Sequence, residues 1–159
     1  MRFGALTIFA CALSLASVSA ASAASSTASG SVALALAGVI VPHSPLPAAE
    51  KKAVAAFFNG DSHVSYTKKI TVTADKIACR ASNVDITARS CELTFGGHIR
   101  TVKGRAANEI FATEALAGVP SDGAAGTIYE SLTKLSCTLD PKAIKENGGG
   151  ADCTFQPGN

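Results

Sequence analysis

The sequence contains no tryptophan, and its one methionine is the initiator. Aromatic residues make up 6% of the chain, too few to supply stacking rings interleaved with basic residues, so single-stranded nucleic acid is not an expected partner. Charged residues are also scarce, at 16%, and with a mean hydropathy of +0.27 this excludes an intrinsically disordered chain. Several short patterns that carry chemistry are missing too. There is no C-x-x-C dithiol or zinc knuckle, no C-x-x-C-H haem attachment site and no G-x-S-x-G nucleophile elbow. His43, His63 and His98 have neither H-x-x-x-H nor H-x-H spacing, and no Gly-Lys-Ser/Thr follows Gly148-Gly149-Gly150. The sequence assigns no catalytic residue, metal ligand or cofactor.

The run of small and apolar residues near the start, 4–18, is too short and too weakly apolar to span a bilayer core of ~30 Å. Arg2 precedes it, and Ala21-Ser22-Ala23 offers an A-x-A cleavage site. This reads as a secretory signal peptide over 1–23, with no membrane span left after cleavage. Removing 23 of 159 residues leaves 136. It also removes Cys11 and leaves an even set: Cys79, Cys91, Cys137 and Cys153. Four cysteines in an oxidising compartment predict two disulfides and a secreted or periplasmic protein. Three pairings are open, and the most parsimonious is Cys79–Cys91 with Cys137–Cys153, each closing one excursion between neighbouring strands.

Residues 24–47 read as a flexible or partly ordered N-terminal segment. Within it, 24–31 is Ser/Ala-rich and expected to be disordered. The apolar stretch 32–41 fits a strand, a helix or a sticky tail equally well. From 48 to 159 the pattern predicts a disulfide-stapled domain. Helices are expected over 48–59 and 105–117, ended by Gly60 and Gly118. Period-two alternation marks Ile70, Val72 and Ala74, with a bulge expected near Asp75-Lys76 where the parity changes. A short strand is expected at 84–87. Cys91, Leu93 and Phe95 alternate before Gly96-Gly97, which marks a hairpin. A three-residue loop, placing Phe95 opposite Ile99, pairs apolar with apolar and is preferred over a two-residue one. Residues 127–139 form a long strand with Tyr129, Leu135, Cys137 and Leu139 on one side. A helical excursion over 140–147 and a last strand at 152–156 follow. No internal repeat of consistent period is visible. The expected fold is a small single α+β domain, an antiparallel or mixed sheet of about five strands with two helices packed on one face and two disulfides.

Charge is unevenly placed. Residues 68–105 carry eight cations against three anions, and 106–159 carry three against seven. Arg80, Arg89, Arg100, Lys103 and Arg105 are the candidate binding surface on the basic half. Its partner would be an unknown protein or an anionic envelope component. Glu109 and Glu114 lie five apart on different helix faces and make no acid–base pair. The expected function is that of an exported, non-enzymatic binding or inhibitor-like module of the periplasm or extracellular space. The alternative is a small secreted hydrolase or metal-dependent enzyme using His63 or His98.

Overall fold

The computed structural model describes residues 24–61, 63–82, 89–123 and 127–158. The signal peptide expected over 1–23 and the strand expected at 84–87 lie outside the described residues. In chain order the elements are β1 (Ser26–Ser29), α1 (Ser31–Ile40), a 3-10 turn (Val41–His43), α2 (Ala48–Phe58), β2 (Ile70–Ser82), β3 (Ser90–Phe95), β4 (His98–Lys103), α3 (Arg105–Leu116), β5 (Ser121–Asp122), β6 (Thr127–Leu139), α4 (Pro141–Asn147) and β7 (Ala151–Pro157). The chain is a small α+β domain. Its sheet is antiparallel throughout, in the order β1-β7-β6-β2-β3-β4, with the two-residue β5 added to β6. That is six strands on the main path rather than five, and four described helices rather than two. No helix among the described residues is long and apolar enough to cross a membrane.

The additions come chiefly from residues 24–47. Ser26–Ser29 pairs with β7 as an edge strand, where the sequence suggested disorder. The apolar stretch after it is a helix whose buried positions are Ala33, Leu36, Ala37 and Ile40, at i, i+3, i+4 and i+7. That stripe is hard to see because the residues between are apolar as well. Helix α1 contacts α3 and the sheet, and α2 lies on α1. Gly38 makes the second contact close: a Cβ there would come within 2.6 Å of the Phe58 ring.

Two long strands occupy the middle of the sheet. β2 and β6 pair from Ile70↔Leu139 to Ser82↔Thr127 without a register shift, and both change parity together. On β2 the buried set passes from Ile70, Val72 and Ala74 to Ile77, Cys79 and Ala81. On β6 it passes from Leu139, Cys137 and Leu135 to Leu132 and Glu130. The expected change near Asp75-Lys76 is therefore present, but the bulge lies on β6. There Lys134 has φ 53°, and the β6–β7 register slips between Thr133 and Ser136. The slip moves Tyr129 off the core side, correcting its expected place beside Leu135, because one extra residue turns every following side chain over.

The β3–β4 hairpin also differs from expectation. Phe95 pairs with His98 and Leu93 with Arg100, so the loop is the two-residue Gly96-Gly97, with φ 55° and 80°. Two successive positive φ values make a type I′ turn, which suits the twist of the flanking strands. The penalty anticipated for this register does not arise. His98 and Arg100 stand at the exposed end of β4, where only Val102 is buried. Asp75 Oδ2 accepts the Gly97 N–H at 3.2 Å, fastening the turn to the bend in β2.

Both disulfides join residues that face each other across neighbouring strands, Cys79–Cys91 and Cys137–Cys153, with Cα–Cα distances of 4.1 and 4.0 Å. Their surroundings match. Cys91 faces Val102, two residues before Gly104, and Cys153 faces Ala28, two residues before Gly30. Each glycine opens a helix, with φ/ψ of 64°/−137° at Gly104 and 62°/−131° at Gly30. Cys91 Sγ lies 3.6 Å from the Ala107 carbonyl oxygen, and Cys153 Sγ lies 3.5 Å from that of Ala33. Exchanging β2 with β6 sends Cys79 to Cys137, and their facing residues Glu130 and Val72 exchange as well. The sheet therefore has a pseudo-twofold relation between β2-β3-β4-α3 and β6-β7-β1-α1. The second unit is split between the two ends of the chain, which is why no repeat of fixed period is visible in the sequence.

Candidate functional site

The five basic residues picked from the sequence do not gather into one patch. Arg80 and Lys103 share a lateral row, each facing Ser90. Arg80 also stands over the Tyr129 ring, 5.7 Å from its centroid. Arg89 is partly buried, with its guanidinium 4.7 Å from the Phe111 centroid. Arg100 shares the side of β4 that faces the helices, and Arg105 opens α3, where its Nε is 3.0 Å from Glu109 Oε1.

The histidines are dispersed as well. His63 is exposed, and its backbone N–H donates to Asp61 Oδ1 at 2.8 Å, which makes Asp61 a turn former. Ser62, between them, lies outside the described residues. His63 lines an open cleft of about 590 Å³ between α2 and the segment after it, with Lys52, Asp61, Tyr66 and Lys68. The Tyr66 hydroxyl donates to Glu50 Oε1 there, at 3.1 Å. His98 lines a smaller cleft of about 100 Å³ with His43, Ser44, Pro45, Phe95 and Arg100. Among the described residues neither the His63 nor the His98 imidazole makes a hydrogen bond. No group of three or more His, Cys, Asp or Glu among the described residues could hold a metal ion.

The most unusual side chains are two to which the sequence assigns no role. Glu114 is 0% exposed and Glu130 is 4% exposed. Neither Glu114 oxygen has a hydrogen-bond partner among the described residues, and Glu130 Oε2 has none either. Burial, then the charge of Glu130, raises the Glu114 pKa from 4.5 to about 9. Burial raises Glu130 to about 6, against the attraction of Arg89. At neutral pH Glu114 is therefore a neutral acid beside a mostly ionised Glu130. Such a pair could exchange a proton, but Glu114 is sealed from any substrate. The pseudo-twofold relation sharpens the contrast. Glu130 corresponds to Val72, and Glu114, ten residues past Gly104, corresponds to Ile40, ten past Gly30. Of the two equivalent places, each built by one residue from each unit, one is filled with hydrocarbon and the other with two carboxyls.

Half of this pair had a visible signal. Glu114 falls on the stripe of Ala107, Ile110 and Phe111 at helical spacing, so its burial could be read from α3 alone. Glu130 could not, because the bulge at Lys134 reverses its apparent face. No family model, no curated protein and no solved structure matches the chain.

Proposed function

We propose that the protein is an exported, non-enzymatic binding module whose partner is an anionic polysaccharide of the cell envelope. The partner lies on the solvent face of β2, β3 and β4. The observation that carries this reading is one row of that face, in which Lys103 faces Ser90, Ser90 faces Arg80, and Arg80 faces Tyr129. Lys76 stands on the same face of β2, four residues before Arg80. Among the described residues, none of these three cations has a carboxylate within 4.0 Å. Lys103 and Arg80 lie two strands apart, about 10 Å at the backbone, a spacing suited to a polymer with charges at intervals. Around them on the same face stand the hydroxyls of Thr94 and Thr101 and one carboxylate, Glu92. The Cys79–Cys91 bridge ties β2 to β3 directly behind this face. A surface held rigid before binding loses little entropy when it is occupied, which favours a broad polar contact without a deep pocket. Two disulfides agree with an oxidising compartment.

Retention on an immobilised uronic-acid polysaccharide tests the reading. The protein should be held in a salt-dependent way, and a Lys76→Ser/Arg80→Ser/Lys103→Ser variant should elute at much lower salt. A Lys52→Ser/Lys142→Ser/Lys145→Ser variant, which removes three charges from α2 and α4 instead, should elute with the parent. Equal retention of all three would overturn the assignment of the face.

A further inference from the structure

The smaller cleft faces away from the row just described and has a chemistry of its own. It lies between the end of the 3-10 turn and the β3–β4 hairpin, with His43, Ser44 and Pro45 on one side and Phe95, His98 and Arg100 on the other. Three of its six lining residues are cationic or can become so, and none is acidic. Lys51 adds a fourth positive group close by, with its Nζ donating to the Pro42 carbonyl at 3.3 Å. Ser44 is already committed, since its hydroxyl donates to the Val41 carbonyl at 2.7 Å. At about 100 Å³ the space is far below that of a drug-sized ligand and suits a single polar group. Arg100 presents the planar donor fork that fits an oxyanion with two parallel bonds. The two-residue turn puts Arg100 and His98 here; the three-residue loop would have turned Arg100 to the other face and left His98 in the loop.

We propose that this cleft is an oxyanion site, binding a phosphate, sulfate or carboxylate group through Arg100, His43 and His98. The group is either free or the end of a larger ligand that extends from the mouth. His43 supplies an internal sign of occupancy. Burial, then the charges of Lys51 and Arg100, hold its pKa below the usual 6.5. The groups facing it are all basic: Lys51 from α2, and His98 and Arg100 from β4. An anion among them offsets the repulsion, so binding raises the His43 pKa and tightens as pH falls through its titration.

Imidazole NMR signals, followed while inorganic phosphate or glycerol phosphate is titrated in at constant ionic strength, test the site and separate the two sources. Saturable movement of the His43 signal, with its pKa shifted upward, is expected for inorganic phosphate if the free group suffices. It is expected only for the phosphomonoester if the rest of the ligand is needed. Arg100→Gln should weaken binding about tenfold or more. His43→Asn should retain binding with its pH dependence reduced, and Lys145→Gln on α4 should bind like the parent. Movement that chloride reproduces, or full affinity in Arg100→Gln with a native spectrum, would overturn the proposal.

Discussion

Glu114 sits where Ile40 sits in the other half of the molecule, so a hydrocarbon side chain is known to fit this kind of place. A carboxyl there carries a cost that depends on pH. In the unfolded chain Glu114 ionises near 4.5, whereas the fold keeps it protonated up to about 9. Folding takes up a proton between those limits. Its stability is full below about 4.5 and is lost progressively as pH rises toward 9. Glu130 adds a smaller loss of the same sign, between 4.5 and about 6. Thermal unfolding should therefore show a midpoint that falls from pH 5 to pH 9. Glu114→Gln should flatten that fall and gain about 5 kcal/mol at pH 8, since that pH lies about 3.5 units above the unfolded value of 4.5 and each unit corresponds to about 1.4 kcal/mol. A parent midpoint that holds steady or rises across this range would show that Glu114 is ionised and paired. At this scale the sequence was legible where parity held. The four cysteines share the period of Ile, Leu and Phe, and they are buried and bonded. Glu130 was illegible because its parity is set by a non-glycine residue at positive φ, Lys134, which no local pattern announces.

Among the elements, α2, α3 and the two long strands follow from spacing, caps and alternation that lie within each segment. The missed elements depend on something outside their own segment. β1 is four residues of Ser, Thr and Ala, and it is a strand because β7 offers it an edge. The hairpin register was misjudged for a similar reason, since exposure at the tip of β4 depends on where the helices end. Gly30 and Gly104 link these cases, each turning an edge strand into the helix that covers the sheet. A Cβ at either would meet nothing within 4 Å, so space is not what requires glycine. The requirement is conformational, because φ near +63° with ψ near −134° is essentially closed to L side chains. Gly104→Ala and Gly30→Ala should each destabilise by about 1–3 kcal/mol in urea melts. The two losses should be similar, because the turns are equivalent. A neutral effect at one site alone would show that its turn can be replaced by another.

The pseudo-twofold relation belongs to the whole molecule and explains how a chain with no visible repeat builds a regular six-stranded sheet. β6 and β7 at the C-terminal end are completed by β1 and α1 from the N-terminal end, so one of the two units is assembled from sequence-distant parts. The pairing Ser26↔Phe155 leaves the two described ends of the chain near each other at one edge. Joining residue 158 to residue 24 needs only a short hairpin loop, and opening the chain between Pro120 and Ser121 leaves every strand pair available. The permuted order places β6, β7, β1 and α1 in one continuous stretch, followed by β2, β3, β4 and α3. If the two units are equivalent, this permutant should fold with Cys79–Cys91 and Cys137–Cys153 bonded and a Tm within several degrees of the parent. It should also refold faster with the disulfides intact, because the β1–β7 contacts change from the most sequence-distant in the sheet to local ones. Peptide mapping of the oxidised permutant, with stopped-flow refolding, measures both. A soluble permutant with scrambled disulfides, or one that refolds more slowly than the parent, would show that the chain's own order is required and that the two halves are alike in form only.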